Sequence, residues 1–285
     1  MLIDSSKLQI IIPVYKPDEK LHDLLQGIKN QSIKDIPLLI IDSGSDKEYL
    51  KKTVGMKNVT IKDIDVLEFN HGLTRQMGIN MFPKRDIYIF FTQDAVPVDE
   101  NTVLNLVRSF DDSKVGCAYG RQLPNADANI FAKFARLYNY GSESYIRTYR
   151  DRKQYGIKTV FISDSFAAYR KDAMINIGGF PNTNMSEDMY AAAKMLEAGW
   201  KIAYQANAKV YHSHNLKIKN EANRYKKIGE FKSENHWIFD KYGKTDKEGI
   251  KYFINEMKFV LKKNPLRIPE MIVRDVMKYY YYKFG

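Results

Sequence analysis

Cysteine is almost absent from this chain of 285 residues, which has a single one, Cys117. One cysteine cannot form an internal disulfide, so the sequence fits a reducing compartment. The N-terminus has no basic segment followed by an apolar signal stretch, and no apolar run reaches the length that spans a bilayer. We therefore expect a cytoplasmic protein that is either soluble or peripherally attached to a membrane.

Signatures of common nucleotide-binding and nucleic-acid-binding proteins are also missing. The chain has no glycine-rich dinucleotide fingerprint and no phosphate-loop lysine motif, which argues against NAD enzymes and ordinary ATPases. A net charge of +11 fits nucleic acid, anionic lipid or a solvated surface. Because no helix-turn-helix, zinc-finger or ribonucleoprotein signature accompanies this charge, we expect no nucleic-acid partner. Most of the excess lies beyond residue 215, where 17 Lys and Arg face 9 Asp and Glu.

Strand and helix signals alternate in the first part of the chain. Apolar runs and helical spacings predict strands at 8–14, 37–42, 59–61 and 87–91 and helices at 21–28 and 73–81. This alternation predicts an α/β fold with a mostly parallel sheet that is covered by helices on both faces. Later signals predict strands at 114–120, 159–162 and 165–169 and a helix at 187–198. Beyond about residue 215 the chain is predicted to be helical, with an apolar stripe of Ile250, Phe253, Ile254, Met257, Val260 and Leu261.

Polar residues follow several predicted strands at the point where each strand ends. Asp94 follows the strand 87–91, Tyr15 follows 8–14, and Asp42 opens a Ser-Gly-Ser turn. Ligands bind at the carboxyl ends of strands in α/β sheets, and a carboxylate there can hold Mg²⁺ or Mn²⁺. Taken singly, these acids fit turns and helix caps equally well. Neighbouring strand ends of this kind favour a nucleotide pocket.

Several short motifs occur in an order that resembles glycosyltransferase family 2, the inverting enzymes with the GT-A fold. They are Ile11-Ile12-Pro13-Val14-Tyr15, Ile41-Asp42-Ser43-Gly44-Ser45-Asp46, Phe69-Asn70-His71-Gly72-Leu73-Thr74-Arg75 and Ser186-Glu187-Asp188. The segments 92–97 and 212–215 resemble the rhamnosyltransferase branch. The resemblance covers residues 8 to about 240, with two departures. The usual acidic triplet is Gln93-Asp94-Ala95, which keeps one acidic metal ligand, and Gln76 stands where Asn is usual.

The resemblance implies a nucleotide-sugar site at the strand ends, formed by Pro13, Val14, Tyr15, Asp42, Arg75, Gln93, Asp94 and Asp164. Asp94 would hold Mn²⁺ or Mg²⁺ against the diphosphate, and His214, with His212 as the alternative, would complete the metal site. Gln93 would contact the ribose, Asp42 a pyrimidine N–H, and Arg75 a phosphate or a base edge. Without the resemblance, Arg75 is equally a solvated arginine, and the histidines equally end a strand.

The pair Glu187-Asp188 opens the predicted helix at 187–198. The resemblance implies that Asp188 is the general base and that Glu187 assists it. An inverting transfer needs such a carboxylate within hydrogen-bond reach of the acceptor hydroxyl, opposite the leaving group. The helix dipole by itself also favours acids at this position, so a purely structural role stays open.

The last predicted helix has an apolar and a basic face. Ile268, Met271, Ile272, Val276 and Tyr279 share one side, and Arg267, Arg274 and Lys278 share another. Such a helix fits an anionic bilayer surface, or packing on the main domain with its basic face in solvent. A tyrosine-rich region at 129–154 fits either a carbohydrate acceptor or the core.

The resemblance implies an enzyme that moves L-rhamnose from dTDP-β-L-rhamnose to a lipid-linked saccharide acceptor in cell-surface polysaccharide synthesis. The alternatives are transfer of another hexose from a UDP-sugar, and an inactive module that binds nucleotide or polysaccharide. The predicted catalytic domain is 1–215, with a nucleotide-sugar half at about 1–120 and an acceptor half at about 121–215, followed by a basic helical region at 216–285. We expect a peripheral location at the inner face of the cell membrane. Oligomerisation through the helical tail stays open.

Overall fold

A computed structural model of the chain describes residues 4–48, 50, 58–243 and 246–284. Its centre is one sheet of nine strands. The strands are β1 Leu8–Val14, β2 Leu38–Asp42, β3 Val59–Asp63, β4 Ile87–Phe91, β5 Val96–Pro97, β6 Val115–Leu123, β7 Tyr145–Arg147, β8 Phe166–Arg170 and β9 Lys201–Tyr211. The helices are α1 Glu19–Lys29, α2 His71–Met81, α3 Thr102–Val107, α4 Ile130–Asn139, α5 Arg152–Tyr155, α6 Lys171–Ile177, α7 Glu187–Glu197, α8 Ile218–Glu234, α9 His236–Tyr242, α10 Asp246–Lys263 and α11 Ile268–Phe284.

Half of the sheet is the parallel array that the sequence predicts. Strands β3, β2, β1 and β4 lie side by side and run in one direction. Successive side chains of β1 alternate between two hydrophobic cores, with Ile10 and Ile12 in one and Ile11 in the other. Because a core covers each face, β1, β2 and β4 require continuous apolar runs instead of an apolar–polar alternation.

The sheet as a whole is mixed, which corrects the prediction of a mostly parallel sheet. Strand β8 lies between β4 and β6 and runs antiparallel to both, and the pairs of β9 with β5 and β7 are also antiparallel. The chain re-enters the sheet at the edge where β4 ends, because Phe166 at the start of β8 pairs with Phe91 at the end of β4. The start of β8 therefore lies beside the carboxyl end of β4.

One predicted strand is wrong, and the short strands β5 and β7 and the long strand β9 were missed. Residues Gly156–Val160 form a 3-10 helix where the sequence suggested a strand at 159–162. Thr159 and Val160 are fully buried, so this apolar run reflects burial, and periodicity alone cannot separate a short buried strand from a buried helical turn. Strand β9 was missed because its alanines and polar residues carry a weak strand signal.

Beyond the sheet, the described chain is helical from Ile218 onward, as predicted, and α8 packs along α11. The apolar stripe of α10 is only partly covered. Val260 is buried, whereas Ile250, Ile254 and Leu261 are exposed. None of the helices within the described ranges is long and apolar enough to cross a membrane. A division of the chain near residue 215 stays a prediction.

Helix α11 packs with its basic face inward, whereas the packing arrangement suggested by the sequence placed that face in solvent. Arg274 and Lys278 are buried, and Ile272 and Val276 are exposed. Both cations pair with Glu221 of α8, at 2.8 Å from Nη1 of Arg274 and 3.2 Å from Nζ of Lys278. Burial of a charge is costly unless the charge is paired, so Glu221 accounts for the inward basic face.

Gly72 provides a test of how closely α2 must approach the loop before α7. A Cβ atom at this position would lie 1.8 Å from the carbonyl oxygen of Pro181, and the Gly72 N–H donates to the carbonyl oxygen of Thr183 at 3.1 Å. We predict that Gly72→Ala lowers the free energy of unfolding by about 2 kcal/mol in urea denaturation, because the backbone must shift to relieve the clash. Gly141→Ala is the control, since a Cβ there meets no described atom within 4 Å. Equal stability of the two variants would contradict the prediction.

Candidate active site

Four strands bring polar residues to one edge of the sheet. Strands β4, β6 and β9 end there, and β8 starts there. An open cleft of about 630 Å³ lies over this edge, between the sheet and residues from helices α4, α7, α8, α10 and α11. This volume is typical of small-molecule sites. Asp94 and Asp188 both line it.

The ends of β4 and β9 bring Asp94, His212 and His214 together. One ligand atom from each lies within 4.8 Å of the other two. Nε2 of His212 is 3.5 Å from Oδ1 of Asp94, and Nδ1 of His214 is 3.6 Å from Oδ2. The pairing of Val96 with Tyr211 aligns the two strand ends. The sequence offered the histidines as alternatives, and the structure brings both of them to Asp94.

Gln122 fixes the position of the proton on His212. Its carbonyl Oε1 lies 2.9 Å from Nδ1 of His212 and can only accept, so Nδ1 carries the proton. Arg136 donates to the same oxygen at 2.6 Å, and the Gln122 amide donates to the hydroxyl oxygen of Ser163 at 2.9 Å. These two hydrogen bonds hold the Gln122 side chain in place. The unprotonated Nε2 of His212 is buried and has no hydrogen-bond partner among the described residues. A nitrogen lone pair that faces a carboxylate in this way fits a bound cation.

Burial also sets the charge of the two histidines. It lowers the pKa of both, that of His214 to about 4, and the neighbouring His212 adds to the shift of His214. Both imidazoles are therefore neutral at neutral pH, which is the form that binds metal ions. Asp94 and these two residues together fit a divalent cation.

A second cluster places three carboxylates around the buried guanidinium of Arg75. Nε of Arg75 lies 3.1 Å from Asp164, and Nη1 lies 2.9 Å from Glu187. Asp188 accepts hydrogen bonds from the backbone N–H groups of Met189, at 2.7 Å, and of Asp164, at 3.2 Å. Asp164 and Glu187 are buried, whereas Asp188 is half-buried and lines the cleft. Asp188 is thus accessible to a ligand.

Helix α7 begins with a sharp turn at Ser186. Ser186 is its N-cap, with φ of +60°, in the left-handed region that non-glycine residues rarely adopt. Its side chain makes no capping hydrogen bond to the described residues. The turn puts Glu187 and Asp188 in the first turn of the helix, where the helix dipole stabilises negative charge.

The acidic cluster changes the pKa values of its members. Burial and the neighbouring Glu187 raise the pKa of Asp188 to about 7, although backbone hydrogen bonds and Arg75 act in the other direction. Burial also raises the pKa of Asp164 well above its usual range. A carboxyl group with a pKa near 7 can accept and return a proton near neutral pH, as a general base requires.

Two residues expected to contact the nucleotide have protein partners. The guanidinium of Arg75 pairs with Asp164 and Glu187, and Arg75 also lines the cleft. Asp42 is buried beneath the turn that follows β2. Its carboxylate accepts hydrogen bonds from the backbone N–H and hydroxyl of Ser45 and pairs with Lys47 at 3.2 Å. The capping role that the sequence left open for Asp42 is the one seen here.

Gln93 joins the ends of β1 and β4. Its Oε1 accepts from the Tyr15 N–H at 2.8 Å, and its Nε2 donates to the Tyr15 carbonyl oxygen at 3.2 Å. The side-chain amide therefore binds the backbone beside Pro13 and Val14, where a ribose contact was expected. The Tyr15 side chain remains 47% exposed at this edge.

One wall of the cleft is lined by residues of α4, α8, α10 and α11 and by Tyr140, which follows α4. Arg136 and Tyr140 lie in the region 129–154, for which the sequence left an acceptor role open. Sequence reasoning missed the others, which are Glu221, Arg224, Tyr225, Tyr252, Arg274 and Lys278. The inward face of α11 had been assigned to solvent or lipid, and nothing local marks Gln122. The sequence did contain one signal for this wall. Arg274 and Lys278 lie one helical turn apart, and two such cations can share a buried acidic partner as well as face solvent.

Known proteins resemble the chain in both sequence and fold. A family model described as "Glycosyl transferase family group 2" matches residues 91–229. The O-antigen chain rhamnosyltransferase RfbN of Salmonella typhimurium is 41% identical over 280 residues, which cover 98% of this chain and 89% of that protein. The O-antigen chain rhamnosyltransferase WbaN of Salmonella anatum is 39% identical over 278 residues, with coverages of 97% and 88%.

Solved structures of low sequence identity share the fold. The mannosyltransferase PcManGT of Pyrobaculum calidifontis, in complex with GDP-Man and Mn²⁺, aligns with a TM-score of 0.65 and 12% identity, over 96% of this chain and 84% of that chain. Residues 1–349 of TarS from S. aureus, in complex with UDP-GlcNAc, align with a TM-score of 0.57 and 12% identity, with coverages of 97% and 89%.

The cation site predicts a measurable affinity for Mn²⁺. We expect His212→Ala to weaken Mn²⁺ binding by about 100-fold and Gln122→Ala by about 10-fold, because the first removes a ligand and the second frees the imidazole that Gln122 orients. The loss of the free Mn²⁺ signal in electron paramagnetic resonance titrations measures both. His22→Ala, an exposed histidine on α1, is the control and should bind as the unmodified chain does. Unchanged binding in His212→Ala would exclude His212 as a ligand.

Proposed function

This chain belongs to glycosyltransferase family 2 and has the GT-A fold, and from that basis we propose that it transfers L-rhamnose from dTDP-β-L-rhamnose, with inversion, to a saccharide acceptor in cell-surface polysaccharide synthesis. It is a glycosyltransferase, a class that combines a nucleotide-sugar donor with an acceptor. The observation that carries the proposal is one cleft that is lined by both the Asp94 cluster and Asp188, since transfer needs both a diphosphate site and a base. The high identity to two rhamnosyltransferases over almost the whole chain supports the choice of sugar.

On the acceptor side, Asp188 removes the proton from the attacking hydroxyl. Its pKa of about 7 keeps a substantial fraction ionised at neutral pH, and it remains basic enough to take a hydroxyl proton as the new bond forms. The backbone N–H groups of Met189 and Asp164 orient its two oxygens. Glu187 and Asp164 act through Arg75, which holds the cluster together, and we assign all three as positioning residues.

On the donor side, Asp94, His212 and His214 hold the divalent cation. When bound, this cation neutralises the negative charge of the diphosphate leaving group. Imidazole nitrogen is a poor ligand for Mg²⁺, which prefers oxygen, so two histidines favour Mn²⁺ over Mg²⁺. The two hydrogen bonds between the Gln93 amide and the Tyr15 backbone keep the ends of β1 and β4 in register. Tyr15 can then cover the nucleotide, while Pro13 and Val14 form the floor of its site.

The acceptor occupies the part of the cleft that the C-terminal helices and the end of α4 line. Tyr140, Tyr225 and Tyr252 offer aromatic faces, and Arg224 and Glu221 offer charged hydrogen-bonding groups, the combination that suits a saccharide. We propose that the acceptor is lipid-linked and that the enzyme works peripherally at the cytoplasmic face of the membrane. The C-terminal helices, which form much of this wall, would then be an acceptor-binding region.

Asp188→Asn tests the assignment of the base. We expect kcat to fall by about 1,000-fold, because the amide has the same shape but cannot accept the proton, whereas nucleotide affinity should stay within about twofold. Asp172→Asn is the matched control, since Asp172 occupies the first turn of α6 and is exposed outside the cleft. Steady-state transfer to a rhamnosyl primer and calorimetric binding of dTDP measure the two quantities. Full turnover in Asp188→Asn would eliminate the assignment.

The acidic cluster also predicts the pH dependence of transfer. Because the base must be ionised, kcat/KM should rise with pH and level off above an inflection near pH 7. Glu187→Gln removes the neighbouring negative charge that raises the pKa of Asp188, so the inflection should move to lower pH. Glu197→Gln, at the opposite end of α7, should leave the profile in place. A shift to higher pH in Glu187→Gln would contradict the electrostatic explanation.

A donor screen tests the sugar. Purified protein is incubated with dTDP-rhamnose, UDP-glucose and other nucleotide sugars, with Mn²⁺, with Mg²⁺ or with a chelator, and the product on a short rhamnosyl primer is weighed by mass spectrometry. We expect transfer from dTDP-rhamnose in the presence of Mn²⁺. Transfer from UDP-glucose alone would replace the proposed donor, and nucleotide binding without transfer from any donor would favour an inactive binding module.

A further inference from the structure

Helix α11 exposes the side of its surface that an ordinary surface helix buries. Its outward side chains are Ile272, Val273, Val276, Tyr279, Tyr280 and Phe284, which are between 42% and 65% exposed, and Lys283 is the charged residue among them. These positions recur at helical spacing, so they form one continuous face along the helix. Scattered apolar residues on a surface need no explanation, but a contiguous face of this kind marks an interaction site.

The inward side of α11 fixes this orientation. Arg274 is paired with Glu221 at 2.8 Å and with Glu270 at 2.9 Å, and Lys278 is paired with Glu221 at 3.2 Å and with Asp275 at 2.9 Å. Met271 is fully buried among Phe131 and Val260. A rotation that buried the apolar face would break these ion pairs and remove Met271 from its contacts, so the apolar face stays outward.

The neighbouring surface is cationic. Between residues 247 and 284, every charged side chain that is classed as exposed is basic, and these are Lys247, Lys251, Lys258, Lys262, Lys263, Arg267 and Lys283. On α10, Lys247, Lys251, Lys258 and Lys262 follow helical spacing beside the exposed Ile250, Ile254 and Leu261. The acids of this segment are turned inward or half-buried. An apolar strip beside a row of lysines is typical of helices that lie in a membrane interface.

We infer that the outward face of α11, together with the lysine row of α10, docks the protein on a bilayer of anionic phospholipid. The charge distribution selects this occupant over a second copy of the chain, because two such surfaces face to face would oppose their lysine rows. On an anionic bilayer the same lysines meet negative headgroups, and the apolar side chains enter the headgroup–acyl boundary.

Docking through α11 has a consequence for the cleft, which rests on the proposed function. Arg274 and Lys278, on the inward side of the same helix, line the cleft. The part of the cleft that they line would therefore be held one helix diameter, about 10 Å, from the lipid surface. A saccharide on a lipid carrier would enter the cleft at the membrane without leaving it.

Vesicle sedimentation tests the docking surface. The full chain is mixed with vesicles of phosphatidylcholine, or of phosphatidylcholine with phosphatidylglycerol. We expect binding to the anionic vesicles that is at least about tenfold stronger and that weakens with salt. The double variant Val276→Glu with Tyr280→Glu should bind anionic vesicles at least about tenfold more weakly. The control Leu67→Glu with Ile175→Glu makes the same charge change at exposed apolar residues of the catalytic part and should bind within about twofold of the unmodified chain.

A second pair of substitutions separates charge from apolar contact. Lys258→Glu with Lys262→Glu should remove the preference for phosphatidylglycerol and leave the α11 face intact. Circular dichroism and transfer to a soluble primer, measured on each variant, distinguish loss of docking from loss of fold or of catalysis. The inference is overturned if the unmodified chain binds neither kind of vesicle, or if both double variants of the docking surface bind like the control. It is also overturned if Val276→Glu with Tyr280→Glu instead dissociates a dimer. Absence of transfer with vesicle binding intact would count against the proposed function alone.

Discussion

The site depends on one buried cation, the guanidinium of Arg75. Three carboxylates, from Asp164, Glu187 and Asp188, lie around it in a region largely shielded from water. Charges of one sign cannot be buried together without compensation, and removing one partner of a buried ion pair typically costs about 3–5 kcal/mol. Arg75 pairs with Glu187 and Asp164, whereas Asp188 keeps open access to the cleft. Burial and the neighbouring Glu187 raise the pKa of Asp188, and Arg75 limits this rise.

The topology explains why these groups meet. In a fully parallel sheet, residues at the start of a strand lie on the edge opposite to those at the end. Strand β8 is reversed, so Asp164, just before its start, lies on the same edge as Asp94, just after the end of β4. The long pairing of β6 with β9 then carries Gln122 and His212 to that edge. The reversal that makes the sheet mixed is therefore what assembles the acidic cluster beside the cation site.

The sequence predicted the parts of this arrangement that local patterns control. The apolar runs of β1, β2 and β4 located the strand ends, and the short motifs located Asp94, Asp188 and the two histidines. Side-chain partners were less predictable, because Arg75, Asp42 and Gln93 each satisfy their polar atoms on residues far away in the chain or within their own turn. The part of the cleft wall that comes from the C-terminal helices was not predictable either. Arg274 and Lys278 look like a solvent-facing pair until Glu221, about 50 residues earlier, is known to lie beneath them.

The two faces of helix α11 have separate roles, because the basic face packs against Glu221 and the apolar face points outward. This arrangement limits how the sequence of the helix can change. Inserting or deleting a single residue would turn everything downstream by about 100°. Such a change would bring cations to the outside and isoleucine, valine and tyrosine against Glu221. The length of this helix is therefore under as strict a constraint as its composition, and relatives that tolerate many substitutions here should still keep the count of residues.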